Sequence, residues 1–426
     1  MRILVIGGGA REHALVAAVK ASTRAQVWCA PGNAGIADMA ACVKVQPDDL
    51  KSMLTLVKEF SIDLTIVGPE NPLAAGIVDE WQKEGHRIFG PSREAAMLES
   101  SKAWAKEFML RHQVPTAEHR LFSDYQEARD YVKKRGGPLV VKADGLAAGK
   151  GVIVAADEET ALDALERIMC REEFGAAGNE VVVEEFLEGE ELSVIAITDG
   201  ETIVMTPPAQ DHKRVWEGDR GPNTGGMGAY SPVPVVDPAL LKEIQKKVIE
   251  PTVRGMASEG RSYRGALYAG LMLTPDGVKV LEFNARFGDP ETQVILPRWR
   301  GDFLELMDGT TQGKLHRVKA RWAPEAAACV VLAAEGYPGS YEKGIPITGI
   351  DEALALGVDI FHAGTARREG QLVTAGGRVL SVVGKGADLR GALDQAYAGV
   401  GAISFEGMQY RRDIGARALA YQGGNS

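Results

Sequence analysis

No stretch of this chain is apolar for long enough to cross a membrane as a helix, and the early run ILVI stops at glycines, too short for a signal-peptide core. A membrane partner is therefore not expected. Cysteine is scarce: Cys29, Cys42, Cys170 and Cys329 are the only 4, with no CxxC spacing and no nearby histidine pairing. That pattern supports neither a zinc site nor a disulfide framework and leaves buried free thiols, hence a reducing, cytoplasmic setting. Positive charge is in deficit, 48 Lys and Arg against 58 Asp and Glu, a net charge of -10. A broad nucleic-acid surface needs the opposite sign, so only local basic pockets for small anions remain. Also missing are internal repeats, low-complexity tracts and any Ser/His/Asp or Cys/His arrangement, so covalent catalysis by the protein is not expected.

Glycine, by contrast, is abundant: 50 residues of 426, against a usual share of about 7%. With 45% hydrophobic and 25% charged residues the composition is that of a globular protein. Its length calls for two to four domains at roughly 100 to 200 residues each. The opening MRILVIGGGAREHALVAAVK reads as strand, tight turn and helix. Apolar runs at 27–30, 64–67 and 87–89 follow, with turns PGNAG, GPEN and GPS. Strands alternating with helices and ending in such turns predict a doubly wound parallel sheet over about residues 1–100, with ligands at the strands' carboxyl ends. Strand pairs are expected around 139–155 and 180–199, a loop-rich region over 205–236, a helix over 238–258, and a hairpin turned at Pro275-Asp276-Gly277. From about Ala326 the short strands and one helix near Leu389 to Val400 suggest a small α+β lid or cap.

Residues 140–151, VVKADGLAAGKG, come close to a phosphate-binding P-loop and miss it twice: Gly145 and Gly149 enclose three residues rather than four, and Gly151 replaces the hydroxyl residue. Metal ligands must then lie elsewhere. In VKVLEFNARFGDPETQ, strand alternation puts Glu282, Asn284 and Arg286 on one face and Leu281 and Phe283 on the other. Oxygen ligands two residues apart on a strand suit Mg²⁺, which binds through one or two protein groups plus substrate phosphates. Lys142, inside LVVKA, needs an anion to offset its burial, and Lys102 opens a helix where it can reach the same phosphates. The first glycine cluster fails as a dinucleotide fingerprint because Glu12 stands at the third glycine position; amides at the helix start, beside Arg11, still suit a single phosphate. EVVVEEFLEGEELSV offers backbone groups for an adenine edge and a carboxylate for ribose hydroxyls, or else a solvated charged face.

In chain order, GGGAREHAL, APGNAG, VGPE, FGPS, KADGLAAGKGV, QDHKR, GPNTGGMGAYSP, EFNARFGDPETQ, FHAGT and YRRDIG resemble the ATP-grasp superfamily and, within it, the glycinamide ribonucleotide synthetases, the phosphoribosylamine-glycine ligases of purine synthesis. The resemblance implies a doubly wound N-terminal domain (1–101), a central ATP-grasp domain (102–323, with a mobile lobe at about 118–190) and a small C-terminal α+β domain (324–426). ATP with Mg²⁺ or Mn²⁺ is implied, as are glycine and 5-phosphoribosylamine as substrates. By the same likeness Lys102, Lys142, Gly149 and Lys150 hold ATP phosphates; Glu184, Glu185 and Leu187 meet adenine and Glu191 the ribose. Glu282 and Asn284 hold the metal, and Asp211, Lys213, Arg286 and Asp289 line the reaction centre. Gly9, Arg11 and Glu70, with Asn223, Thr224 and Gly225, contact substrate. A different ATP-grasp ligase, and a dehydrogenase or nucleotide-sensing protein, are the alternatives; a monomer or weak homodimer is the expected assembly.

Overall fold

The computed structural model describes residues 1–22, 24–146, 151–171 and 173–424. Its first sheet is parallel, in the order Ala41–Cys42, Gln26–Pro31, Arg2–Gly7, Leu64–Val67, Ile88–Phe89. Ile3 to Ile6 are fully buried, which is why this strand reads as a continuous apolar run rather than an alternation. The strand order reverses beside Arg2–Gly7, the place where a doubly wound sheet opens its ligand crevice. Here Glu12 fills it. A Cβ on Gly7 would stand 2.5 Å from the Glu12 Cγ, and one on Gly68 2.1 Å from its Oε1.

A second, antiparallel sheet runs His119–Phe122, Val181–Glu185, Leu139–Ala143, Val152–Ala155. It has its own apolar cluster with the helices Tyr125–Arg135 and Glu158–Leu165, centred on Val141, Val183 and Leu165, as expected of a separate lobe. The central sheet is also antiparallel, in the order Ile203–Met205, Glu190–Thr198, Gly265–Thr274, Gly277–Asn284. The turn at Pro275-Asp276 closes on Gly277, whose φ of +111° suits only glycine.

The last sheet runs Gln210–Asp211, Gly228–Ser231, Ala326–Ala333, Arg378–Gly386, Asp359–His362, with the helix Leu389–Ala402 packed against it. The loop-rich 205–236 region also gives two strands to this sheet and a hairpin, Arg214–Trp216 with Arg220–Asn223. The sheet of the C-terminal α+β part is completed by those earlier strands. Among the described residues no helix is long and apolar enough to cross a membrane.

Candidate active site

The lobe, the central sheet and the turns of the first sheet bring their polar residues together around the Gly277–Asn284 strand. The helix Lys102–Arg111 begins at Ser101, whose Oγ accepts from the Trp104 amide at 3.0 Å, and the Asp144 carboxylate accepts from the Ala103 amide at 2.9 Å. Asp144 thereby ties the start of the glycine-rich loop to the helix, and the Lys102 Nζ donates to the Gly145 carbonyl at 2.9 Å. Gly149 and Lys150 lie outside the described residues.

Lys142 finds its anion inside the protein: its Nζ lies 2.9 Å from Glu184 Oε1 and donates to the Leu281 carbonyl at 3.0 Å. Glu184 is 2% exposed and is also paired with Lys106, at 3.1 Å. Burial alone would raise the Glu184 pKa; the two ammoniums hold it below the usual carboxylate value. Its carboxylate is thus engaged within the protein. Glu185 is bound by Lys279 at 2.8 Å. Leu187 sits with Ala117, Met272 and Leu281 in a small apolar cluster apart from the main core. Glu191 pairs with Lys213 at 2.7 Å.

On the Gly277–Asn284 strand, a β-bulge opposite Gly270 and Leu271 breaks the expected alternation. Val278, Val280 and Phe283 join the main core, whereas Leu281 packs with Leu187. The expectation that Leu281 buries on the face opposite the carboxylates is therefore corrected, because the extra residue of the bulge resets the pleat. The Glu282 carboxylate makes no hydrogen bond or ion pair among the described residues. Burial would raise its pKa, but Lys213, Lys142, Lys102 and Arg286 keep it lowered and hence anionic. Asn284 Oδ1 accepts from Arg286 at 3.2 Å and keeps a second lone pair. Two hard oxygen donors, one of them unpartnered, fit a Mg²⁺ or Mn²⁺ ion completed by water and phosphate. Among the described residues no cluster of three His, Cys, Asp or Glu side chains offers an all-protein cage.

Arg286 joins this strand to the first sheet, with Glu70 at 3.3 Å and Glu99 at 3.2 Å. Arg11 does not offer itself freely beside open amides. The Gly9 amide donates to Glu12 Oε2 at 2.7 Å and the Arg11 Nε to Glu12 Oε1 at 2.6 Å, so the helix start is capped by the chain's own carboxylate. Arg11 also donates to the Phe287 carbonyl, at 3.2 Å. Asp289 is paired with Arg378 at 3.1 Å and accepts from Gln293 at 2.7 Å. Asp211 is different: its Oδ1 is buried without a partner among the described residues, and burial, with the charge of Glu291, lifts its pKa well above the carboxylate range. The Thr224 hydroxyl donates to the Lys213 carbonyl at 2.8 Å, the Gly225 amide to the Tyr337 hydroxyl at 3.0 Å, and Asn223 stands opposite Arg214 in the hairpin.

Three family models together span most of this chain: the phosphoribosylglycinamide synthetase N domain over residues 1–99, its ATP-grasp (A) domain over 100–292 and its C domain over 327–417. The chain belongs to the phosphoribosylglycinamide synthetase family. It is 48% identical to the phosphoribosylamine–glycine ligase of Caldanaerobacter subterraneus over 98% of this chain and 100% of that protein. It is 51% identical to the human trifunctional purine biosynthetic protein adenosine-3 over 99% of this chain, which spans 42% of that longer protein. The crystal structure of the phosphoribosylamine–glycine ligase of Thermotoga maritima superposes with a TM-score of 0.85 at 37% identity, over 97% of this chain and 100% of that one. At 17% identity, the biotin carboxylase domain of Hydrogenobacter thermophilus 2-oxoglutarate carboxylase, crystallised with MgADP, shares the fold with a TM-score of 0.72 over 96% of this chain and 91% of that one.

Set in this family architecture, the site contains groups that sequence reasoning passed over. Ser193, Tyr268 and Glu291 form a buried triangle, with Ser193 Oγ to Glu291 at 2.9 Å, Tyr268 OH to Glu291 at 3.0 Å and Ser193 to Tyr268 at 2.9 Å. A Cβ on Gly288 would stand 2.4 Å from Glu291 Oε2, which explains the glycine of GDPE. Glu291 lies two residues past Asp289 in a motif already singled out, and Lys106 lies one helical turn from Lys102; both signals were present. Ser193, Tyr268, Glu99 and Arg378 had none.

Proposed function

We propose that this chain joins glycine to 5-phosphoribosylamine with ATP, giving glycinamide ribonucleotide, ADP and phosphate. The observation that carries the reading is the anionic, unpartnered Glu282 carboxylate ringed by Lys102, Lys142, Lys213 and Arg286, where the lobe faces the central sheet. The naming of full-length relatives as phosphoribosylamine–glycine ligases supports the substrate pair. Glu184, Glu185 and Leu187 take adenine, and Glu191 takes the ribose. Lys102 and Lys142 turn to the phosphates.

A glycine carboxylate is a poor electrophile, so a carboxylate oxygen attacks the γ-phosphorus and ADP leaves with the bond's electrons, giving glycyl phosphate. The amine of phosphoribosylamine then attacks the acyl carbon, expels phosphate and loses a proton. Glu282 and Asn284 hold the divalent ion, which when bound neutralises phosphate charge. The protein's own share is positioning and electrostatics. Asp211, the buried carboxyl with an open oxygen, accepts the ammonium of glycine, while Lys213, Arg286 and Asp289 line the centre. Gly9, Arg11 and Glu70 form the phosphoribosylamine side, with Asn223, Thr224 and Gly225 closing the loop. The division at 101/102 and 323/324, the mobility of the lobe at about 118–190, a cytoplasmic setting and a monomeric or weakly dimeric state belong to the same proposal.

Product analysis tests it. ADP release that requires glycine and phosphoribosylamine together, with glycinamide ribonucleotide formed in equal amount, is expected. Ligation of another carboxylate with indifference to glycine would assign the site to a different ATP-grasp ligase.

A further inference from the structure

Lys106 and Glu184 are each 2% exposed, and Lys142 on the adjoining strand is 6% exposed. The Glu184 carboxylate thus carries one ammonium on each oxygen, Lys106 at 3.1 Å on Oε2 and Lys142 at 2.9 Å on Oε1. Lys106 is fixed from behind: it donates to the Thr116 Oγ1 at 2.6 Å, and Thr116 in turn donates to the Val280 carbonyl at 2.7 Å. The Val280 amide donates to the Pro115 carbonyl at 2.7 Å, so this anchor belongs to the central sheet rather than to the lobe. Lys142 has a different role. Among the described residues its remaining hydrogen bond is to one backbone carbonyl, Leu281, next to Glu282, which has no partner among them.

We propose that Lys106 is a positioning residue of the nucleotide site, a permanent counter-ion for Glu184 that frees Lys142 to turn to the phosphates of ATP. The inference rests on the ATP site described above. Two buried ammoniums contact one carboxylate, so one of them can turn to a phosphate oxygen while the other keeps Glu184 paired. Were Lys142 the sole partner of Glu184, its departure would strand a buried carboxylate, and breaking a buried pair in that way is strongly unfavourable. With Lys106 in place, the turn of Lys142 leaves a neutral pair behind. Lys106 acts through Glu184 and Lys142 and need not touch the nucleotide. Its position one helical turn after Lys102 sets both lysines on the same face of the helix Lys102–Arg111.

The test is a double-mutant cycle read by calorimetric affinity for the non-hydrolysable analogue β,γ-methylene-ATP with Mg²⁺. Lys106→Met weakens the analogue roughly tenfold or more, as expected when a buried ion pair is broken, and leaves KM for glycine unchanged. In a Glu184→Gln background the same Lys106→Met change has no effect, because no carboxylate needs the counter-ion. Unchanged analogue affinity in Lys106→Met overturns the proposal, and so does an equal loss in both backgrounds, the mark of a merely structural lysine. Should Lys106→Met fail to fold, the comparison of Glu184→Gln with the double variant decides alone: equal affinities support the proposal and a tenfold difference overturns it. Lys142→Met separates this inference from the reading beneath it. Wild-type analogue affinity in that variant would remove ATP from this site altogether, whatever Lys106 does.

Discussion

Glu282 combines two properties that rarely meet in one carboxylate: surroundings that penalise its charge and no partner for it among the described residues, with four cations near enough to keep it ionised. Such a group is held ready for a ligand. Replacing Glu282 with Ala should lower kcat by about 10²-fold or more at saturating Mg²⁺, the usual consequence of losing one preorganised charge-stabilising group. Undiminished turnover would remove Glu282 from the metal site. Asp211 carries the opposite signature, a carboxyl raised well above its ordinary pKa by burial and by the charge of Glu291, with one oxygen unpaired. Asp211→Asn should raise KM for glycine roughly tenfold or more, the worth of a charged hydrogen bond, with affinity for ATP unmoved; a defect in ATP affinity alone would contradict that placement. The Glu282 and Asn284 pair was legible because period-two spacing on a strand is local. Leu281 was not, since a bulge is set by the partner strand, and neither was the engagement of Glu184 by Lys106, which depends on where a helix some eighty residues earlier in the chain docks.

At the scale of elements, the hairpin Arg214–Trp216 with Arg220–Asn223 connects Asp211 and Lys213 to Thr224 and Gly225, so its placement sets both sides of the centre. One residue clamps it. Arg411 is 1% exposed, donates bidentately to Asp413 at 2.8 and 2.7 Å, and reaches Asp219 at 2.8 Å and the Arg214 carbonyl at 3.1 Å. Asp413 in turn accepts from the Gly218 amide at 2.8 Å, and the Gly415 amide donates to His212 at 3.3 Å. Arg411→Lys keeps the charge but loses the planar fork that spans these partners. It should raise KM for glycine several-fold and lower kcat while ATP-analogue affinity stays at the wild-type value; a uniform loss of all three, tracking the folded fraction, would mean that the clamp serves stability only. The sequence offered YRRDIG as a motif without a task, and the 205–236 stretch as loop, because the strand partner of Gly228–Ser231 comes from Ala326–Ala333, about a hundred residues later. Turn residues and short apolar runs do not reveal pairings of that range.

At the scale of the whole molecule, three motifs, two from the first sheet's turns and one from late in the sequence, hold the first sheet to the last. The His362 amide donates to His13 Nδ1 at 2.8 Å, Asn33 donates to the Gly8 and His362 carbonyls at 3.0 and 2.6 Å, and a Cβ on Gly35 would strike both imidazoles. An Nδ1 that accepts a hydrogen bond must be unprotonated, so this junction requires a neutral His13. Burial, with His362 nearby, pushes the His13 pKa down to about 3; burial takes His362 to about 4, and burial with Arg411 and Arg417 takes His212 to about 4. The unfolded chain binds these protons near pH 6.5. Because the folded values lie below the unfolded one, the stability is fully present above pH 6.5 and is lost as pH falls from there towards 4 and 3. Each histidine contributes a slope of about 1.4 kcal/mol per pH unit once the unfolded form is protonated, and Asp211, whose raised pKa keeps it protonated in the folded chain, contributes with the opposite sign. The window from pH 6 to 5 isolates them from most carboxylates, which titrate lower. Denaturant unfolding across that window should show stability falling with pH, and His13→Gln, whose amide oxygen can accept from the His362 amide, should reduce the slope by roughly 1.4 kcal/mol per unit. An identical slope in the two proteins would mean that His13 is already protonated in the folded state, and the junction between the first and last sheets would then have to be held without it.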